Sequence, residues 1–327
     1  MHIQLLDILR CPRTGQRLAL QNPIYRDEQV YSALLVSEDG KNKYVIQDFI
    51  PRFVVESNYA DNFGMQWNKF RQTQLDSYSG HPISFDRFWK ATGWEPDNIC
   101  GQWVLDVGCG AGRFAEVALQ AGAKVVALDF SGAVDACFAN LRHHPNLHVV
   151  QGDIYALPFL NNFFPLVYSL GVLQHTPDVA KAFAALPLMV AEGGQLCTDF
   201  YWKRFQTMLH AKYLFRPITK RLQQQKLFRF LEQTVPMLLK TSQVMGRVSY
   251  VGRYLKRIVP VADYSGIYPL DERQLIEWAL LDTFDMLAPQ YDSPQTPETI
   301  IKWMTSAGFN RIEVFQVNLL VVRGRKP

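Results

Sequence analysis

Residues 104–114 read VLDVGCGAGRF, an apolar run followed by a glycine-rich turn and the start of a helical pattern. Glycines in such a turn let the backbone approach a ligand closely and adopt torsion angles that other residues avoid. A phosphate-binding loop would end in Gly-Lys-Ser/Thr, whereas this turn ends in Gly112-Arg113-Phe114, so that interpretation fails. A dinucleotide turn, G-x-G-x-x-G, would need a glycine where Arg113 stands, which disfavours hydride transfer.

The sequence around this turn alternates short apolar runs with helical patterns, which is typical of a parallel sheet with helices on its faces. Strands are predicted at Trp103–Asp106, Lys124–Leu128, Leu147–Val150, Leu166–Leu170 and Gln195–Phe200. Helices are predicted at Arg113–Gln120, Ala133–Leu141, Val179–Ala191, Asp271–Phe284 and Pro297–Ala307. Two further strands, Arg311–Val317 and Leu319–Arg323, are separated by one residue and suggest an antiparallel C-terminal hairpin. The predicted fold class is therefore α/β.

Aspartates end the first three predicted strands of this sheet. Asp129 follows the second strand about 20 residues after the turn, where a carboxylate can accept hydrogen bonds from both hydroxyls of a ribose. Asp153 follows the third strand, and Asp106 lies at the end of the first. Each could instead cap a helix or be solvated in a loop. Their shared position at the ligand-binding edge of the sheet favours a nucleoside-like ligand.

The D-x-G-x-G-x-G turn, together with these acids and with residues 157–159 and 169–178, resembles class I S-adenosylmethionine-dependent methyltransferases, in particular their ubiquinone/menaquinone-biosynthesis-like branch. The resemblance covers roughly residues 100–202 and implies a Rossmann-like sheet and S-adenosyl-L-methionine as cofactor. It implies that Asp129 binds the ribose, that Asp153 and the Ile154 N–H bind the adenine, and that Phe130 lies against the adenine face. The candidate cofactor-binding residues are Asp106, Gly108, Cys109, Gly110, Gly112, Asp129, Phe130, Asp153, Ile154 and Leu170.

Methyl transfer from a sulfonium needs alignment of the acceptor rather than a nucleophilic side chain of the protein. An oxygen acceptor must also lose a proton, and His175 after the fourth strand is the best-placed candidate base. A histidine that serves only the loop is the alternative. Residues 169–172 lack the Asn/Asp-Pro-Pro-Tyr/Phe motif of enzymes that methylate DNA adenine or protein glutamine, which disfavours that chemistry.

Two segments outside the sheet are candidates for substrate selection. Trp67, Phe70 and Gln74 could form one helical face of a lid over the cofactor, or belong to a helix that only packs on the sheet. Tyr201, directly after the fifth strand, is a further candidate substrate contact. Asp282 and Asp285 lie at i, i+3, which is a weak signal for metal, and hydrogen bonding to the substrate or charge pairing with the basic insert is favoured. No metal site is predicted.

Residues 203–257 carry 13 cations and one acid, Glu232. The cations are Lys203, Arg204, Lys212, Arg216, Lys220, Arg221, Lys226, Arg229, Lys240, Arg247, Arg253, Lys256 and Arg257. This insert also contains apolar residues, among them Phe205, Leu209 and Phe230. Such a segment suits an anionic partner, namely a phosphorylated or lipid-linked substrate, a membrane surface or RNA. A solvated basic face is the alternative.

The remaining composition is ordinary. Of 327 residues, 48% are hydrophobic and 20% are charged, which excludes a disordered or collagen-like chain. Five scattered cysteines indicate no disulfide framework, and a net charge of +4 alone does not indicate a nucleic-acid partner. An N-terminus interrupted by Asp7 and Arg10 is unlike a signal peptide, and no apolar run reaches the length of a membrane span. A cytoplasmic location is therefore expected.

Residues 1–55 resemble the small zinc-ribbon-like domain of activators of tRNA and protein methyltransferases. Such domains hold zinc with two Cys-x-x-Cys pairs, whereas here Cys11 is the one ligand retained and Thr14, Ser37 and Gly40 stand at the other expected positions. A single thiolate cannot hold structural zinc. This unit is expected to pack or dock without a metal.

Four regions are therefore predicted: a degenerate zinc-ribbon-like domain (1–55), lid and linker helices (56–99), a methyltransferase domain (100–202 with 261–327) and a basic helical substrate cap (203–260). The expected activity is methylation of a small-molecule or lipid- or glycan-linked acceptor at O, N or C. Two alternatives stay open. One is RNA methylation, and the other is a non-catalytic cofactor-binding partner of another methyltransferase.

Overall fold

A computed structural model describes residues 1–54, 61–205, 211–248, 252 and 256–327. Within these residues eleven strands form one sheet in the order β1-β2-β3-β4-β7-β6-β5-β8-β9-β11-β10. The strands are β1 (Leu18–Arg26), β2 (Gln29–Ser37), β3 (Lys43–Gln47), β4 (Ile50–Arg52), β5 (Trp103–Val107), β6 (Lys124–Asp129), β7 (Leu147–Gln151), β8 (Phe164–Ser169), β9 (Val190–Phe200), β10 (Asn310–Val317) and β11 (Leu319–Arg325).

Seven neighbouring strands of this sheet, in the order β7-β6-β5-β8-β9-β11-β10, form the predicted Rossmann-like sheet. Strands β5 to β9 pair in parallel, and β11 enters antiparallel between β9 and β10. Neighbouring residues of β5 point to opposite faces, so that Val104 and Leu105 lie fully buried in two different hydrophobic clusters. Burial on both faces explains why these strands read as continuous apolar runs. The fold class predicted from the sequence is confirmed.

Helices cover both faces of the sheet and extend beyond it. They are α1 (Asp61–Lys69), α2 (Asp76–Ser79), α3 (Ile83–Thr92), α4 (Pro96–Ile99), α5 (Arg113–Gln120), α6 (Ala133–Leu141), α7 (Val179–Ala185), α8 (Ala211–Thr219), α9 (Gln224–Gly246), α10 (Glu272–Leu287) and α11 (Pro297–Ser306). The prediction of a helix over Val179–Ala191 is wrong at its end. Pro187 cannot continue a helix, and β9 begins at Val190.

The N-terminal residues do form strands, but these strands continue the main sheet. Strands β1 to β4 make an antiparallel meander, and β4 pairs in parallel with β7 where Arg52 faces Gln151. Leu35 of the meander is fully buried in the same hydrophobic cluster as Leu105 of the central sheet. The Cys11 Sγ atom lies 3.2 Å from the Tyr44 hydroxyl, and no cluster of metal-binding side chains occurs among the described residues.

Helices α8 and α9 belong to the basic insert and pack on α10. A third hydrophobic cluster joins Leu231 and Val235 of α9 to Leu280 and Phe284 of α10. Leu209 and Arg253, which the sequence analysis placed in this insert, lie outside the described residues. No helix in the described part of the chain combines the length and apolarity needed to cross a bilayer.

Candidate cofactor and acceptor site

A cavity of about 660 Å³ lies at the carboxyl ends of the parallel strands. Its floor is the glycine turn after β5, and its walls come from the ends of β6 and β8. Trp67 and Gln74, which precede the central sheet in the sequence, also line it. Trp278 and Asp282 of α10, which follow the sheet in the sequence, complete the lining. Elements from three distant parts of the sequence therefore enclose one space.

The glycine turn presents its main chain to this cavity, because a side chain at either of two of its glycines would come too close to a neighbouring residue. Gly108 has φ of 88°, and a Cβ atom at this position would lie 2.4 Å from a methyl group of Val172. A Cβ atom at Gly110 would lie 3.3 Å from the indole of Trp67. Both glycines line the cavity, so the turn provides the kind of close main-chain approach that a nucleoside-containing cofactor requires.

Asp129 stands at the end of β6 and lines the same cavity. One carboxylate oxygen accepts a hydrogen bond from the Gly110 N–H at 2.9 Å. The other accepts from the N–H and hydroxyl of Ser131, at 2.9 and 2.7 Å. Burial raises the pKa of Asp129, although these hydrogen bonds oppose the shift. The aspartate thus ties the glycine turn to β6 at the position where the resemblance places the ribose.

The structure separates the other candidate cofactor residues into two groups. Those lining the cavity are Cys109, Phe130, Ile154 and Leu170. Asp106, Gly112 and Asp153 do not line it. A Cβ atom at Gly112 would lie 2.6 Å from the Leu141 side chain, so this glycine allows close packing against α6.

Asp106 and Asp153 have local environments of their own. Asp106 is buried beneath the turn, and this burial raises its pKa to about 8. Asp153 accepts a hydrogen bond from the Tyr155 N–H at 2.9 Å and so caps a short 3₁₀ turn. This is the capping role that the sequence left open. Its contact with adenine stays a prediction.

His175 lies in a short 3₁₀ turn after β8 and lines the cavity with 7% of its surface exposed. Its Nδ1 atom lies 3.2 Å from the main-chain oxygen of Tyr291. A carbonyl oxygen can only accept a hydrogen bond, so Nδ1 carries the proton and Nε2 is the basic nitrogen of the neutral ring. The Nε2 atom lies 3.8 Å from the Asp285 carboxylate.

The candidate lid residues are not equivalent. Helix α1 ends at Lys69, so Trp67, Phe70 and Gln74 do not share a helical face. Trp67 and Gln74 line the cavity, whereas Phe70 packs against Phe228 in the third hydrophobic cluster. Tyr201 also lines the cavity, with its ring edge-on to that of His175 at 5.5 Å between centroids. Burial raises the pKa of Tyr201 well above its ordinary value.

Three polar residues at the cavity wall were missed by the sequence analysis as site residues. The Arg87 Nε atom, the Arg113 Nη2 atom and both amide atoms of Gln174 are buried without a hydrogen-bond partner. Arg113 does bond Gln74 at 3.1 Å, and burial lowers its pKa to about 10. Arg87 pairs with Asp199 at 2.7 Å. Unsatisfied buried groups of this kind are costly, and here they are available to a polar ligand.

The two acids of α10 contact neighbouring side chains at the cavity wall. Their hydrogen bonding to the substrate or charge pairing with the basic insert stays a prediction. Asp282 accepts a hydrogen bond from the Gln74 amide at 3.0 Å and another from the Tyr264 hydroxyl. Burial raises the pKa of Asp282 to about 6. The basic insert contributes Lys212, which lines the cavity and pairs with Asp292 at 2.7 Å.

Comparison with known proteins shows that residues 105–198 match the model of a family described as "Methyltransferase domain". Two curated relatives are a demethylmenaquinone methyltransferase from Renibacterium salmoninarum and a tRNA U34 carboxymethyltransferase from Pseudoalteromonas translucida. The first is 38% identical over 30% of this chain and 40% of the relative. The second is 31% identical over 41% of this chain and 43% of the relative. The chain thus spans less than half the length of each of these two curated relatives.

Among solved structures, magnesium protoporphyrin IX methyltransferase from Synechocystis PCC 6803 with bound SAH is similar at a TM-score of 0.44. It is 15% identical, over 82% of this chain and 97% of that one. The family match lies over the glycine turn and the parallel strands, and it agrees with the similarity to methyltransferases that the sequence indicated.

Proposed function

We propose that this chain binds S-adenosyl-L-methionine and transfers its methyl group to a small planar acceptor that must lose a proton, such as a hydroxyl or an acidic C–H group. The observation that carries the proposal is the glycine turn tied to Asp129 at the wall of the cavity. The family match of residues 105–198 supports it. We also propose the four-part division of the chain given above, with residues 203–260 covering the acceptor.

The cofactor fits the residues present. The main chain at Gly108 and Gly110 would lie against it, Asp129 would hold the ribose, and Phe130 and Ile154 would contact the adenine. When bound, this cofactor supplies an electrophilic methyl group on a sulfonium. The protein's own part is then to orient the acceptor, exclude water and take up a proton.

His175 is the group that takes the proton. Its Nδ1–H donates to the Tyr291 carbonyl, and Nε2 is the nitrogen that takes the proton from the acceptor. The carboxylate of Asp285, 3.8 Å away, stabilises the imidazolium that results. This arrangement fits general-base catalysis, which contributes about 10²- to 10⁴-fold to a rate.

The part of the cavity away from the glycine turn, here called the acceptor half, favours a flat molecule with polar substituents. Aromatic rings of Tyr201, Tyr264 and Trp278 line it, and rings of this kind stack on or meet edge-on with a planar ligand. The unpartnered amide of Gln174 and the guanidinium of Arg113 supply hydrogen bonds. The name of the Renibacterium relative, a demethylmenaquinone methyltransferase, agrees with a ring acceptor.

The test has two stages. Isothermal titration with S-adenosylhomocysteine should show one site per chain, and absence of binding would refute the cofactor proposal. An acceptor screen with methyl-labelled cofactor should then include hydroxylated rings and quinols, tRNA as the contrasting substrate, and a candidate partner methyltransferase. With the acceptor found, His175→Asn should lower kcat at least 100-fold, while leaving S-adenosylhomocysteine affinity within about threefold. A kcat within threefold of the wild type would show that His175 is not the base.

A further inference from the structure

Helix α9 has two faces of different character. Its inner face packs on α10 through Leu227, Leu231, Val235 and Leu239, all buried. Its opposite face carries Phe230, Met237 and Val244, here called the outer stripe, which are 59%, 64% and 62% exposed. These residues are seven positions apart, so they lie almost in line along the helix. Large apolar side chains are thus held in the open on the side turned away from the protein.

Cations accompany the outer stripe. Lys226, Lys240 and Arg247 fall at neighbouring positions on the helical wheel, and Arg229 lies beside them, all of them exposed. Glu232 is the single acid of residues 203–257, and it pairs with Lys69 at 2.5 Å. The exposed face of α9 therefore combines apolar residues with positive charge.

Helix α8 also exposes apolar side chains, but its two cations lie on the inner face. Lys212 and Arg216 are buried on its inner face and lie near Asp292, at 2.7 and 3.9 Å. Leu214 and Ile218, on the opposite side of the helical wheel, are 75% and 66% exposed. The charged side chains of this helix thus point inward, toward the cavity that Lys212 lines, and its apolar side chains point outward. A helix that only covered the protein would show the reverse pattern.

We infer that the outer faces of α8 and α9 bind the surface of an anionic lipid bilayer, with the outer stripe inserted at the boundary between headgroups and acyl chains. A lipid surface satisfies both halves of the pattern, because the acyl region takes the apolar residues and the anionic headgroups take the cations. A second copy of the chain would bring two sets of exposed cations together. RNA phosphates would match the cations but leave the apolar residues in water. This inference goes beyond the proposed function and does not depend on it.

The experiment is co-sedimentation of the whole chain with vesicles of pure phosphatidylcholine and with vesicles containing 40% phosphatidylglycerol. We expect binding to the anionic vesicles, with at least tenfold weaker binding to the neutral ones and to anionic vesicles in 0.5 M NaCl. The triple variant Phe230→Gln, Met237→Gln, Val244→Gln should bind at least tenfold more weakly. A matched control replaces three exposed apolar residues outside the insert, Ile24→Gln, Leu188→Gln and Ile301→Gln, and should bind within twofold of the wild type.

A second variant set tests the charges. The substitutions Lys226→Gln, Lys240→Gln and Arg247→Gln should each weaken binding to anionic vesicles by roughly fivefold, with little effect on binding to neutral vesicles. The inference is overturned if the wild type binds neither vesicle, or if the outer-stripe variant binds as well as the wild type. It is also overturned if sedimentation velocity shows a wild-type dimer that the outer-stripe variant abolishes without lipid, or if tRNA competes fully for the vesicle-binding face. Titration with S-adenosylhomocysteine on the same proteins reports separately on the proposed function.

Discussion

Replacing Asp129 by alanine is the sharpest test of the cofactor site. In the structure this carboxylate accepts three hydrogen bonds, from the Gly110 N–H and from the N–H and hydroxyl of Ser131. It is also the group proposed to accept two hydrogen bonds from the ribose. A hydrogen bond to a charged group contributes about 1.5 to 3 kcal/mol. Loss of two such bonds therefore predicts a cost of roughly 3 to 6 kcal/mol in cofactor binding, or about two to four orders of magnitude in Kd.

The assay is isothermal titration of S-adenosylhomocysteine into wild type, Asp129→Ala and Asp129→Asn. The asparagine variant keeps the shape but loses the charge, so we expect an intermediate Kd. Asp135→Ala is the matched control, because Asp135 is a neighbouring carboxylate on α6 that pairs with Arg52 at 2.6 Å and is half exposed. Its Kd should stay within about twofold of the wild type, as a surface ion pair contributes roughly 0 to 1 kcal/mol.

Because Asp129 also holds the glycine turn, the folded state of each variant must be measured beside its affinity. A cooperative melt within a few degrees of the wild type shows that the domain is intact. A folded Asp129→Ala protein that binds S-adenosylhomocysteine within threefold of the wild type would refute the assignment of this carboxylate to the ribose.

Three further variants test the surroundings of the site. Gly108→Ala places a Cβ atom 2.4 Å from a valine methyl group at a φ of 88°, which predicts a cost of about 1 to 3 kcal/mol in stability or cofactor binding, checked by melting and titration. Arg87→Met leaves the Asp199 carboxylate buried without its cation and should lower the free energy of unfolding in urea by about 3 to 5 kcal/mol, against about 0 to 1 for the exposed pair broken by Lys90→Met. Burial raises the pKa of Asp106 to about 8. From about pH 4 to 8 the carboxyl therefore ionises in the unfolded chain but stays protonated in the folded protein, and the wild type loses stability as the pH rises. The unfolding free energy of Asp106→Asn relative to wild type should increase over that range, by up to about 1.4 kcal/mol per pH unit, and a difference between the two proteins that does not change with pH would contradict the shift.

The central sheet was predictable because its signals are local. The five parallel strands are short apolar runs, and the turn at 108–112 contains glycines at positions where the structure has positive φ or a close neighbour. The helix at Arg113–Gln120 is found as predicted. What the sequence could not supply was the pairing of Arg52 with Gln151. Nothing near either residue reveals a contact across about a hundred positions, so the sequence did not predict that the N-terminal strands continue the central sheet.

The part of the candidate site formed by the ends of the parallel strands could be predicted from the sequence. Residues at the ends of neighbouring parallel strands meet at one edge, which brought Asp129 and His175 to the cavity. Arg87 and Gln174 carried no such signal, because a single arginine in an amphipathic helix usually faces solvent. Their role depends on the tertiary packing of α3 and of the turn after β8. Phe70, the residue after the end of α1, packs against Phe228 and does not line the cavity with Trp67 and Gln74.

The cover of the cavity is held together by residues more than two hundred positions apart. The Gln66 amide donates to the Leu281 carbonyl at 3.0 Å, and the Trp278 indole N–H donates to the Thr73 carbonyl at 2.8 Å. Contacts of such long sequence separation form late, because a large loop must close first. During synthesis the covered cavity therefore cannot exist until α10 has left the ribosome. A nascent chain that already holds the whole parallel sheet would still present an open cleft, with the glycine turn accessible to ligands before the cover has formed.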